Sequence, residues 1–128
     1  IKLRELNDTD GWNYVHTQED ANEFMKLFAR FHDSTLERLY YEEQSGTTSV
    51  TAIFDNSGWY GIVELCFEGV LAINIRPSQE NYSREIYEAT LLLQDETILW
   101  ADWYMESEDL SFDGSYIKAL NLKWRKIR

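Results

Sequence analysis

Residues 17–41 read TQEDANEFMKLFARFHDSTLERLYY, and the spacing of the apolar side chains changes within this stretch. In its first half these side chains recur every three or four residues, at Ala21, Phe24, Phe28 and Phe31. This spacing predicts an amphipathic helix of about fifteen residues, with Thr17 as the residue that caps its start. Burial of a Phe side chain is worth about 1.5–3 kcal/mol, so we expect the stripe to face a hydrophobic core.

After Ser34 the apolar side chains alternate with polar ones, which is typical of half-buried strands. The pattern predicts seven strands, at residues 35–43, 48–55, 60–67, 70–76, 85–94, 97–105 and 115–126. Turn signals such as Ser45-Gly46, Asn56-Ser57-Gly58 and Asp95-Glu96 separate them, and connections this short join antiparallel strands. The predicted fold class is α+β: one N-terminal helix packed on a curved antiparallel sheet of about seven strands, either open or folded over as a sandwich.

Two hairpins follow from the same pattern. Residues 60–67 and 70–76 would pair through a three-residue loop, because that register places the apolar side chains of both segments on one face. Residues 85–94 and 97–105 would pair through a two-residue turn at Asp95-Glu96.

Length and composition predict a folded protein of one domain, residues 1–128. A chain of this size buries about two thirds of its unfolded surface, so it needs no disulfide or metal to fold. Apolar residues make up 44% of the chain, which excludes an intrinsically disordered protein. The single cysteine, Cys66, and the absence of a signal-peptide pattern or a long apolar run predict a cytoplasmic protein that does not cross a membrane.

The charge is strongly negative, with twelve Lys and Arg against twenty-three Asp and Glu, a net charge of −11. Such a chain repels phosphate backbones, so nucleic acid is not an expected partner. The same field either serves solubility alone or attracts a basic protein surface.

The acidic run Glu106–Ser115, ESEDLSFDGS, contains D-x-S-x-D-G, which is the opening of a calcium-binding loop. The twelfth position of such a loop is a Glu, whereas Leu120 stands at that place here. Asp113-Gly114 is also a strong turn signal. We interpret the run as a turn between strands and expect no metal site.

Catalytic motifs are absent from the sequence: it has no Gly-rich phosphate loop, G-x-S-x-G, H-E-x-x-H or paired C-x-x-C. We therefore expect no cofactor and assign no catalytic residue. Cys66 lies in a strand pattern without an adjacent His, which favours an unreactive thiol. His32 and Asp33 are interpreted as the end of the helix and the start of the next turn, since sequence neighbours need not touch.

One cluster of side chains favours a binding site. The two-residue turn at Asp95-Glu96 would place Asp102 opposite Ala89, with Trp100 and Tyr104 beside it on its own strand and Tyr87 on the same face. A carboxylate among aromatic rings has a raised pKa unless it finds partners, and such residues often mark sites. The alternative is an ordinary sheet face on which Asp102 bonds a neighbouring hydroxyl. A glycosidase would need a second carboxylate, for which Glu64 and Glu88 are candidates.

Residues 31–41, FHDSTLERLYY, resemble a loose group of small bacterial domains of unassigned function, in which a helix ends in Phe-His-Asp and antiparallel strands follow. The resemblance implies a helix-then-sheet fold and, in the wider neighbourhood of that group, acidic immunity proteins that neutralise toxins. It transfers no catalytic residue.

Two functions remain after this reading. The first is a non-enzymatic protein-binding module, of an immunity or antitoxin kind, that presents acidic and aromatic residues to a basic protein partner. The second is a small-molecule or carbohydrate binding protein, or a hydrolase, built on Asp102, Trp100, Tyr104 and Tyr87. Leu91-Leu92-Leu93 and Leu99-Trp100 are apolar on both faces, and one helix cannot cover both. Either the sheet folds over on itself or a second copy covers it, and we expect a homodimer.

Overall fold

The computed structural model describes residues 11–56 and 60–128, and it confirms the α+β class. Helix α1 spans Gln18–Leu27 and a 3-10 turn spans Ala29–Phe31. The strands are β1 (Asn13–Val15), β2 (Thr35–Gln44), β3 (Thr47–Asp55), β4 (Ile62–Asn74), β5 (Thr90–Gln94), β6 (Thr97–Ala101) and β7 (Tyr116–Lys126). No helix in the part of the chain that the structure describes is long and apolar enough to cross a membrane.

All seven strands form one antiparallel sheet. Six of them follow the order β2-β3-β4-β7-β6-β5, and β1 pairs with β7 outside this order. The last strand, β7, lies at its centre. β4 pairs with β7 along nearly its whole length, whereas β6 pairs with its first half and β1 with its second half. Strands β2 and β5 are therefore the two ends of the sheet.

The helix begins as predicted. Thr17 caps it: the amide of Asp20 donates to Thr17 Oγ1 at 3.0 Å, and the Asp20 carboxylate accepts from the Thr17 amide at 3.2 Å. Such a reciprocal pair satisfies two amides that the first turn leaves without partners. The apolar stripe is buried at all four predicted positions, Ala21, Phe24, Phe28 and Phe31.

The predicted length was wrong, because α1 ends at Leu27 and a left-handed turn follows. Ala29, Arg30 and Phe31 have φ angles of 52°, 54° and 62°. Each non-glycine residue in this region costs about 1–2 kcal/mol. The burial of Phe31 offsets this cost, since its ring contacts Phe54 at 5.0 Å between centroids.

Backbone hydrogen bonds also hold the left-handed turn. Ala89 donates to the carbonyl of Arg30 at 2.8 Å, Asp33 donates to that of Ile86 at 2.7 Å, and Ile86 donates to that of Ser34 at 2.8 Å. These bonds fix segment 86–89 against the end of the helix, and with it the backbone of Tyr87.

The core lies between α1 and one face of the sheet. It is rich in aromatic rings that contact one another edge to face or at a tilt: Phe24, Phe28, Phe31, Phe54, Trp100 and Trp124. These rings come from the helix and from β3, β6 and β7, so they join the two halves of the sheet.

The hairpin predicted from residues 60–67 and 70–76 was wrong, because both segments belong to the single strand β4. Gly69 adopts a φ of 69°, and the register with β7 shifts between Val70 and Ala72. A bulge of this kind bends a strand and changes which residues face the core. The apolar spacing changes in the same way at a bulge and at a turn, so the sequence pattern did not separate them.

The hairpin at Asp95-Glu96 was right in its register. Leu93 pairs with Ile98 and Leu91 with Trp100, and the two turn residues have φ angles of 53° and 64°. Its strands are shorter than predicted, since β5 begins only at Thr90 and β6 already ends at Ala101. Ser45-Gly46 is likewise a two-residue hairpin turn. The turn predicted at residues 56–58 lies partly outside the described residues, and the three-residue strand β1 was missed.

Segment 102–115 covers the face of the sheet that lies opposite the core. The Thr90 hydroxyl donates to the carbonyl of Trp103 at 2.8 Å, and Lys118 Nζ lies 2.7 Å from the carboxylate of Glu108. Leu99, the β6 neighbour of Lys118, is 2% exposed as a result. Leu99 therefore gives no support to the homodimer prediction, which stays a prediction.

Candidate functional site

A cleft of about 630 Å³ opens beside the end of β6, between the start of β2, the segment that follows β4 and the segment that precedes β5. Three of the predicted site residues, Trp100, Asp102 and Tyr87, line it. Tyr104 does not: it lies at a shallow groove of about 930 Å³ between α1 and β5. The structure thus brings together the predicted carboxylate and two of its three aromatic neighbours.

Asp102 is held at the cleft by Ser115, the residue that precedes β7. Its amide donates to the carbonyl of Ser115 at 3.0 Å, and its Oδ1 accepts from the Ser115 amide at 3.2 Å. The Ser115 hydroxyl in turn accepts from the amide of Arg76 at 2.8 Å. The carboxyl group is half-buried, and this burial raises its pKa despite the opposing hydrogen bonds from Ser115.

Ionisation of Asp102 should destabilise the folded state as the pH rises, and Asp102→Asn should remove this loss of stability. The pKa of Asp102 is raised in the folded state, so between the ordinary pKa and the raised one the folded state binds more protons than the unfolded state. The free energy of unfolding contributed by this group therefore falls as the pH rises through that window. We expect Asp102→Asn to gain stability relative to wild type as the pH rises above the ordinary pKa of an aspartate, about 3.9, measured by urea unfolding.

Asp109→Asn is the matched control, because two hydrogen bonds from Ser111 lower the pKa of that exposed carboxyl. A lowered pKa contributes stability above the ordinary pKa, so the control should lose stability relative to wild type over the same range. The assignment for Asp102 is wrong if Asp102→Asn follows wild type at every pH.

Tyr87 and Trp103 form an exposed aromatic pair at the cleft. Their ring centroids lie 5.7 Å apart, and their side chains are 63% and 52% exposed. The imidazole of His32 packs edge-on against Tyr87 at 5.7 Å, and its Nδ1 lies 2.7 Å from the carbonyl oxygen of Tyr87. Together with the left-handed turn, these contacts fix the position of the Tyr87 ring.

Trp103 was missed by the reasoning from sequence. Strand β6 ends at Ala101, so the alternation that placed Trp100 and Asp102 on one face does not extend to Trp103. The usable signal was the aromatic density of residues 100–104, WADWY, which exceeds what one core face of a strand can bury.

Trp100 is part of the core and does not present its ring to solvent. It is 2% exposed, and its ring centroid lies 5.2 Å from that of Phe54. Its indole N–H is buried and has no hydrogen-bond partner among the described residues. Trp100 therefore supports the wall of the cleft and offers no stacking surface to a ligand.

Four of the other charged groups at the cleft form ion pairs, whereas Arg38 and Glu85 line it without one among the described residues. Arg84 lies 3.1 Å from the Glu37 carboxylate, and Arg76 lies 4.0 Å from that of Asp113. The two further carboxylates considered for a hydrolase are engaged elsewhere: Glu64 with Arg125 and Glu88 with Arg30. Among the residues that the structure describes, neither of them lines the cleft.

The acidic run is a turn, but its position differs from the predicted one. The turn lies at Asp109–Phe112, where the Phe112 amide donates to the Asp109 carbonyl and Asp109 Oδ1 accepts from the Ser111 hydroxyl at 2.6 Å. Gly114 packs against Phe112 instead, where an added Cβ would overlap the ring. Within residues 11–56 and 60–128, no three His, Cys, Asp or Glu side chains are grouped so that they could hold a metal ion.

Cys66 and the His32-Asp33 pair lie away from the floor of the cleft. Cys66 is in the middle of β4, where burial and the carboxylate of Glu68 raise the pKa of its thiol. A raised pKa keeps the thiol protonated and unreactive. His32 Nε2 lies 3.5 Å from Asp33 Oδ2, so these sequence neighbours do meet, at the surface.

Comparison with protein-family models, with curated proteins and with solved structures gives no match. The function is therefore argued from the geometry of the cleft and of the aromatic pair.

Proposed function

We propose that this protein is a non-enzymatic binding protein that recognises a basic surface of a partner protein. The observation that carries the proposal is the exposed pair of Tyr87 and Trp103. Two large aromatic side chains left in water lose the stabilisation that burial would give them. Trp and Tyr are also the residues that dominate the binding energy of protein interfaces.

The charge of the chain supports a basic partner. With a net charge of −11, the protein attracts positively charged surfaces and accelerates encounter with them. Glu85 lines the cleft with Tyr87, and Asp102 lines it with Trp103, so a carboxylate accompanies each ring. The resemblance at residues 31–41 makes a toxin the kind of partner that we expect, and the single cysteine suits the cytoplasm.

The experiment first isolates a partner with the immobilised protein and then measures the purified complex by calorimetry. Trp103→Ala should weaken the complex at least tenfold, which corresponds to about 1.4 kcal/mol. The association rate should fall as salt rises, because screening weakens the attraction between the surfaces.

The matched control is Tyr40→Ala. Tyr40 is 49% exposed, close to the exposure of Trp103, but it lies on the edge strand β2. The control should leave the affinity unchanged. Equal effects of the two variants, or an acidic partner whose binding does not respond to salt, would contradict the proposal.

A further inference from the structure

We infer that the cleft binds one arginine side chain of the partner, with Asp102 as its anion and the Tyr87–Trp103 pair as its aromatic wall. This inference rests on the proposed function and adds the chemistry of the group that is recognised. It follows from the position, the charge and the walls of the cleft.

The aromatic pair lies at the cleft itself. Tyr87 and Trp103 form the exposed pair, and both also line the cleft that contains Asp102. A partner that covers the two rings therefore also covers the mouth of the cleft. A volume of about 630 Å³ lies within the range of pockets that hold small ligands.

Charge selects a cation. Glu37 and Asp113 at the rim each have an arginine as a partner. Asp102 has none: among the described residues no Lys or Arg nitrogen lies within 4.0 Å of its carboxylate. The Arg76 guanidinium acts on this carboxylate only beyond ion-pair distance, where its charge lowers the pKa of Asp102. A half-buried carboxylate with amide and hydroxyl neighbours but no ion pair gains from an incoming guanidinium that bonds it directly.

The walls favour a guanidinium over an ammonium. A planar guanidinium stacks on aromatic rings and bonds a carboxylate through two N–H groups. The same chain combines a ring contact and a carboxylate bond at another arginine. Arg125 lies with its Cζ 4.2 Å from the Trp12 ring centroid, and its Nε donates to the Glu64 carboxylate at 2.8 Å. The lining of the cleft also contains a carboxylate and an indole, those of Asp102 and Trp103.

The test uses N-acetyl-arginine amide as the probe and N-acetyl-citrulline amide, its uncharged analogue, as the comparison. Binding is followed through the N–H resonances of the Ser115 amide and the Trp103 indole. Ser115 reports on Asp102 because its amide donates to Asp102 Oδ1. We expect saturable shifts with the arginine probe at millimolar concentration and at least tenfold weaker binding of the citrulline probe.

Asp102→Asn should weaken binding of the arginine probe at least tenfold. Glu96→Gln is the control, because Glu96 is an exposed carboxylate in the β5–β6 turn, and it should leave binding unchanged. The comparison of arginine with citrulline uses wild-type protein, so the test does not depend on the folding of any variant.

Equal binding of the two probes would overturn the inference, as would arginine shifts confined to other parts of the surface. Shifts of Ser115 and Trp103 with methyl glucoside but not with arginine would also overturn it and would identify a sugar site. If the arginine probe fails while Trp103→Ala still weakens the partner complex, the inference falls and the proposed function stands. If the probe binds through Asp102 but Trp103→Ala leaves the complex intact, the proposed function falls.

Discussion

Phe31→Ala should lower the free energy of unfolding by about 3–5 kcal/mol, the usual cost of deleting a buried Phe side chain. Phe31 is fully buried, and its ring contacts Phe24, Phe54 and Trp100 at centroid distances of 5.0–6.1 Å. The truncation would leave a cavity where the helix meets β3 and β6. It would also remove the burial that offsets the left-handed backbone of residues 29–31.

The measurement is urea unfolding, followed by the fluorescence of the tryptophans. Leu27→Ala is the control, since Leu27 is 51% exposed at the last residue of α1 and should lose less than about 1 kcal/mol. A loss for Phe31→Ala as small as that of the control would show that the turn is not stabilised by this side chain.

Gly61→Ala should cost about 3 kcal/mol. Gly61 has a φ of 85°, where a side chain adds about 1–2 kcal/mol of strain. A Cβ there would also overlap the carbonyl oxygen of Arg128, which accepts from the Ile62 amide at 3.3 Å. Relieving that overlap requires a backbone shift, and such overpacking costs about 1–3 kcal/mol.

Gly46→Ala separates the two contributions. Gly46 has a similar φ of 80°, but no atom lies within 4 Å of the place where its Cβ would stand. The control should therefore lose only the strain, about 1–2 kcal/mol, in the same unfolding experiment. Equal losses for the two variants would mean that the chain end near Arg128 moves aside without cost.

The helix and most of the sheet could be predicted because each rests on a local period. The capping residue Thr17, the buried stripe and the register at Asp95-Glu96 all follow from spacing within a few residues. The features that the sequence did not predict depend on backbone conformation or on pairing between distant residues. A bulge between Val70 and Ala72 and a hairpin give the same change of apolar spacing, and nothing local shows that Asn13–Val15 pairs with a strand more than a hundred residues away.

The candidate site was predictable as far as the strand pattern extends. That pattern placed Trp100 and Asp102 side by side, and both line the cleft. It did not show that Trp100 belongs to the core, because its burial depends on rings that are distant in the sequence, those of Phe31 and Phe54. It also missed Trp103, whose position depends on the way segment 102–115 leaves the sheet.

The central place of β7 bears on synthesis of the protein. Until Tyr116–Lys126 leaves the ribosome, the nascent chain holds two separate pieces, the β2–β3–β4 meander and the β5–β6 hairpin. Each piece exposes an unpaired strand edge, and such edges recruit other chains. Both edges stay open to other chains until β7 has been made, and a stop codon before Tyr116 would leave β4 and β6 without the strand that pairs with both.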